Sequence, residues 1–253
     1  MDFKIGDLVT RNSYNNDIVF RIIEIDENLC KLKGEFIRLC ADSLITDLKI
    51  YNEEDNSEIE FEKRLDEMRL ELRDDYFYLP GKILHIDGDI DYLNKCLDYY
   101  KKINIWAKGI LENEEDIYMN IKSYLEEYNP NIVVITGHDS FNKKNRTYKN
   151  SDNFIKAIKE ARKYEKSHEK LLIIAGACQS NYKELIKAGA NFASSPKGIN
   201  IHALDPAIVA SKLSLSSISE DIDLKSILEN TKYGSKGMGG IVTKGTMHIG
   251  YPR

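Results

Sequence analysis

A chain of 253 residues, 42% apolar and 30% charged, has the make-up of an ordinary globular protein with room for one large domain, or a small and a medium one. Its net charge of −5, from 36 basic and 41 acidic residues, gives no sign of a general affinity for nucleic-acid phosphates. No apolar run approaches the roughly 18 residues of a membrane span, MDFKIGDLVTRNSY lacks the order of a secretory signal, and four scattered cysteines (Cys30, Cys40, Cys96, Cys178) without a CxxC pair argue against a zinc cage or disulfide scaffold.

The first fifty residues alternate short β-prone runs with turn signals at Asn15-Asn16-Asp17, Asp26-Glu27-Asn28 and Lys33-Gly34. Strands of about five residues at this spacing predict a small SH3-like β-barrel over residues 1–50. Such modules bind or dock. Residues 51–79 read as a connector, a charged helix with Ile59, Leu65, Met68 and Leu72 on one face.

From Pro80 the pattern becomes βα and continues over 80–253. GKILHID, INIWAKGIL, NIVVITG, KLLIIAG and NFASSP read as strands, with helical segments between and after them. That alternation predicts a parallel sheet flanked by helices, and the continuous apolar runs predict strands buried on both faces. The glycine-rich tail KYGSKGMGGIVTKGTMHIGYPR reads as a hairpin beside the cleft, with Gly239 and Gly240 structural.

Two of these runs carry the chemistry. NIVVITGHDS ends at His138 and LLIIAGACQS ends at Cys178, each just past a buried strand. In open α/β sheets, ligands sit beyond the carboxyl ends of the strands. Neighbouring strands lie about 4.8 Å apart, so an imidazole and a thiol are expected within short reach, as a nucleophile and its acid–base partner. Asn181 and Glu184 suggest a helix start after Cys178, where the macrodipole favours thiolate, while Gly176 and Ala177 clear space before the sulfur. Read blandly, Cys178 is an inert core cysteine and His138 caps a turn. His85 reads as a core residue, His168 as solvated, His202 as bordering the same edge, and His248 as unpartnered.

The pairing of a hydrophobic run ending in His with one ending in Ala-Cys resembles the caspase–gingipain–legumain clan of cysteine peptidases. More narrowly, GDLVTRNSYNNDIVFRI, LHIDGD, VVITGHDS, IIAGACQSN, ASSP, IHALDP and KGMGGIVTKGTM resemble the YabG family of sporulation-specific proteases, over nearly the whole chain. The resemblance implies a caspase-like α/β fold, a Cys178–His138 dyad without metal or cofactor, and cleavage after arginine in spore coat and cortex-processing proteins. Backbone N–H groups of Cys178 and of the loop holding Gly137 and Asp139 would stabilise the oxyanion. The wider clan has Gly after the catalytic His, whereas this chain has Asp139.

Arginine recognition calls for a planar carboxylate acceptor. The candidates are Asp87, placed first, Asp89, Asp139 and Asp205, the last also readable as a helix N-cap before Pro206. Two other readings stand beside the peptidase: a thiol amidohydrolase or acyltransferase acting on a small molecule, and a non-catalytic coat-assembly scaffold. Arg64, Arg69 and Arg73 are self-cleavage sites if the connector frays. The expected setting is cytoplasmic synthesis in the sporulating cell followed by association with the spore coat, with protein substrates as partners.

Overall fold

The computed structural model describes residues 3–51, 56–67 and 75–252. The chain divides into two compact units, Met1–Arg64 and Leu65–Arg253.

In the first unit, β1 (Leu8–Arg11), β2 (Phe20–Asp26), β3 (Leu29–Gly34), β4 (Cys40–Leu44) and β5 (Leu48–Ile50) form an antiparallel sheet in the order β4-β3-β2-β1-β5. Glu27 adopts a positive φ of 49° in the two-residue turn between β2 and β3, and Asn15 and Asn16 do the same after β1. Alternate residues turn inward, so that Val9, Phe20, Ile22, Cys30, Leu32 and Leu48 make its core. The connector helix is α1 (Asn56–Glu67). Of the stripe expected on it, Leu65 is buried, whereas the Ile59 side chain, Met68 and Leu72 lie outside the described residues, as do Arg69 and Arg73.

The second unit opens with β6 (Phe77–Leu79), a strand where the sequence suggested more helix. Its centre is a six-stranded sheet of β7 (Ile83–Asp87), β8 (Ala107–Leu111), β9 (Ile132–Thr136), β12 (Leu172–Ala175), β13 (Phe192–Ser194) and β14 (Met238–Gly240), in the order β14-β13-β12-β9-β7-β8. All neighbours are parallel except β14, which runs antiparallel to β13. Every residue of β7, β9 and β12 is buried, as their unbroken apolar runs require.

Between β9 and β12 lie a small hairpin, β10 (Phe141–Asn142) with β11 (Thr147–Tyr148), and α4 (Ser151–Tyr164). One sheet face packs Leu84, Ile86, Val133, Ile135, Ile173 and Ala175 against α3 (Ile117–Tyr128), α4 and α5 (Tyr182–Ala188). The opposite face meets α2 (Ile90–Lys102) and α6 (Asp205–Ser214). A last helix, α7 (Leu224–Glu229), precedes β14.

The tail does not fold back on itself as a hairpin. β14 instead extends the main sheet, and β15 (His248–Gly250) pairs with β6. Packing explains the glycines of β14: a Cβ at Gly240 would come within 2.5 Å of the Phe192 ring. Truncating a side chain at the packed centre should cost most. Ile173→Ala in β12 is expected to lower unfolding free energy by roughly 2–5 kcal/mol, read from the urea midpoint at unchanged m-value.

Candidate active site

β9 and β12 are adjacent and parallel, in a register that runs from Ile132↔Leu172 to Ile135↔Ala175. His138 and Cys178 each stand three residues beyond the last of these pairs. Their two loops therefore leave the same sheet edge at the same height.

Asp139 joins those loops. Its carboxylate is buried, and Oδ1 accepts the N–H groups of Ser140 (2.9 Å) and Asn150 (2.8 Å). Oδ2 accepts the hydroxyls of Ser151 and Ser180. Each hydroxyl also accepts from the cysteine loop: Ser180 Oγ from Ala177 N–H at 2.9 Å, and Ser151 Oγ from Asn181 N–H at 2.9 Å. Phe141 N–H donates to Gln179 Oε1 at 3.3 Å, and Asn150 Nδ2 to the His138 carbonyl at 2.8 Å.

The His138 ring meets a carboxylate that Asp89 supplies from the end of the neighbouring strand β7, at 2.9 Å from Nε2. Asp89 is itself fixed, because its Oδ1 caps α2 through the N–H groups of Asp91 and Tyr92. An ionised carboxylate only accepts, so Nε2 is the donor in this contact. Tyr92 meets the imidazole edge-on, with centroids 5.7 Å apart. The His138 N–H donates to Glu114 Oε1 at 2.7 Å. Glu114 fits there because Gly88 and Gly137 leave room: a Cβ at Gly137 would lie 2.4 Å from Oε1.

Cys178 sits differently from the open thiol its flanking small residues suggested. It is fully buried, and the space beside Gly176 is filled by Ser194 and Leu185. Its Sγ accepts the Ile201 N–H at 3.3 Å and lies 3.8 Å from the Ile201 carbonyl. The segment over it is held by Gln179 N–H to the Ile199 carbonyl and by Gln179 Nε2 to Asn200 Oδ1 (both 3.1 Å). Gln179 (φ 57°) and Ser195 (φ 65°) are both left-handed, a costly conformation for residues with a Cβ. Helix α5 begins at Tyr182, and its N-cap Asn181 makes no side-chain cap bond, so the expected capping box does not form.

The remaining sequence candidates are placed as follows. Asp87 is fully buried at the end of β7. It accepts from Thr136 Oγ1 at 2.8 Å and from Asp89 N–H at 3.0 Å. Next to it His85, also buried, bonds Thr136 Oγ1 (3.0 Å) and the Tyr100 hydroxyl (2.9 Å), a satisfied core histidine. Asp205 is the first residue of α6, and Leu204 is its N-cap. The Asp205 carboxylate instead accepts the N–H groups of His202 (3.0 Å) and Lys232 (2.8 Å). Burial pushes its carboxyl pKa up, against the pull of His202 and these two backbone donors. Among the described residues, no group of three or more His, Cys, Asp or Glu side chains could hold a metal ion.

A family model described as YabG peptidase U57 matches residues 4–70 and 58–252. The sporulation-specific protease YabG of Bacillus subtilis (strain 168) is 39% identical over 286 residues, covering 100% of this chain and 99% of that protein.

The chain belongs to the YabG peptidase family.

In this YabG-family peptidase, sequence reasoning placed His138 and Cys178 at one sheet edge but did not anticipate several residues that the structure brings beside them. Asp89 was legible only as one more carboxylate. Its partnership with His138 depends on β7 lying beside β9, which a single sequence does not reveal. Glu114, after β8, and the hydroxyls of Ser151 and Ser180 carry no local signal at all. The covering segment around Ile201 lies more than twenty residues from Cys178.

Two outcomes follow for the thiols and the clamp. Brief treatment of native protein with a maleimide should label exposed Cys40 rapidly and leave Cys178 unmodified until denaturant is added, as mapped by peptide mass. Asp139→Ala strands four donors and should lower stability by about 3 kcal/mol or more, read from urea unfolding.

Proposed function

We propose that this YabG-family peptidase is a cysteine endopeptidase of caspase-like architecture, with an SH3-like N-terminal module, that cleaves after arginine in proteins assembled or processed during sporulation. The observation that carries the reading is the common position of His138 and Cys178, three residues past one register pair on adjacent parallel strands. Cys178 Sγ attacks the scissile carbonyl, and the thiol proton passes to His138 Nδ1. The imidazolium then protonates the leaving amine as the C–N bond breaks. In the second half, His138 takes a proton from water, which attacks the thioester and releases the acid and the thiol. The N–H groups of Cys178 and of the Gly137–Asp139 loop serve as oxyanion donors. The Asp139 N–H has no acceptor among the described residues, which suits that role.

Asp89 acts as the positioning residue for His138. Asp139 aligns the two loops, and its four donors leave it no capacity for a substrate guanidinium. Asp205 is the carboxylate we assign to the P1 arginine. It is buried with two backbone donors, and it directly follows the segment that lies over Cys178. Displacement of that segment admits the substrate and uncovers Asp205 together with the thiol. A guanidinium would then add to the countercharge that His202 and Lys232 supply against its burial.

Fluorogenic amides bearing Arg, Lys or Ala at P1 test this reading. Arg-selective turnover is expected, with a loss of at least about a hundredfold in Cys178→Ala and His138→Ala. Asp89→Asn keeps the helix cap but reverses the hydrogen-bond polarity at the imidazole. It should lower kcat by on the order of tenfold or more with little change in Tm. Turnover surviving in Cys178→Ala would overturn the nucleophile assignment, and activity on small amides alone would favour an amidohydrolase.

A further inference from the structure

The hairpin that follows His138 has a composition unlike the rest of the chain. Residues 140–151, SFNKKNRTYKNS, contain Lys143, Lys144, Arg146 and Lys149 and no carboxylate, in a protein of net charge −5. All four cations are exposed, and none makes an ion pair among the described residues. The hairpin is nonetheless a built structure. β10 and β11 pair Phe141 with Tyr148, whose rings pack at a tilt of 44° with centroids 4.8 Å apart. Asn142 Oδ1 accepts the N–H groups of Lys144 (2.9 Å) and Asn145 (3.3 Å) to shape the tip. Its base is fastened to both candidate catalytic loops, through Phe141 to Gln179, next to Cys178, and through Asn150 to the His138 carbonyl.

His138 itself meets two carboxylates, Asp89 at its ring and Glu114 at its backbone N–H. Carboxylates from the loops after β7 and β8 and the basic hairpin after β9 thus both adjoin the His138 loop. A field of that polarity orients a polypeptide whose acidic residues face the hairpin.

We propose that the Phe141–Lys149 hairpin is an exosite that docks acidic stretches flanking the scissile arginine of protein substrates. This rests on the peptidase reading above, but the surface is testable without turnover. The Cys178→Ala protein would be titrated with two fluorescein-labelled twelve-residue peptides by fluorescence anisotropy. Both contain one arginine; one has Asp and Glu at the flanking positions, the other Asn and Gln.

At about 25 mM NaCl the acidic peptide should bind on the order of tenfold more tightly. That preference should shrink toward unity by about 300 mM as the charges are screened. The combined Lys143→Gln, Lys144→Gln and Arg146→Gln substitutions should abolish the preference with Tm preserved, since these side chains hold nothing in the fold. Equal binding of the two peptides would overturn the exosite, as would a preference that survives in the triple variant. Tighter binding of a single-stranded oligonucleotide at the same hairpin would also overturn it, in favour of a nucleic-acid surface. A hairpin-dependent preference, with neither peptide cleaved by the unsubstituted protein, would instead overturn the arginine-peptidase reading and leave the surface standing.

Discussion

One buried carboxylate sets the geometry on which the candidate site depends. Asp139 accepts four hydrogen bonds, two from backbone N–H groups and two from hydroxyls that each take a further N–H from the cysteine loop. A carboxylate suits that position because it only accepts and offers about four lone-pair sites. An amide would present donors to some of the same partners. Since Asp139 directly follows His138, tying its side chain down also ties down the backbone that carries the imidazole. An aspartate directly after His138 thus serves the alignment of two loops.

Behind the imidazole runs a second chain of contacts, each member positioned by the next. Tyr100 meets His85, His85 meets Thr136, Thr136 donates to Asp87, Asp87 holds the Asp89 backbone, and Asp89 meets His138. The inner members are fully buried, so their polar atoms hold fixed geometry. Local backbone strain lies instead around the thiol, in the left-handed Gln179 and Ser195. The rigid half of the candidate site holds His138, and the strained half holds Cys178 and its cover.

Much of this was legible in the sequence because strong local signals coincided with global structure. Runs such as NIVVITG and LLIIAG can be buried on both faces only in a parallel sheet, and their ends mark where chemistry collects. The five short strands of the N-terminal unit were likewise announced by Asn, Asp and Gly at their turns. What stayed hidden depends on tertiary proximity. The strand order that puts Asp89 beside His138, the addition of β14 to β13, and the pairing of β15 with β6 join residues that carry no shared pattern. The openness expected around Cys178 failed for the same reason: small neighbours leave room, and Ser194, Leu185 and Ile201 fill it.

The enclosure of Cys178 bears on the chemical lifetime of the protein. Thiols are lost to sulfenic and higher acids in proportion to their thiolate character and their contact with dissolved oxidants. A sulfur held between the N–H and the carbonyl of Ile201, with no solvent-facing surface, is removed from that traffic. In the proposed mechanism, the contact that covers the thiol also keeps it reduced until substrate arrives.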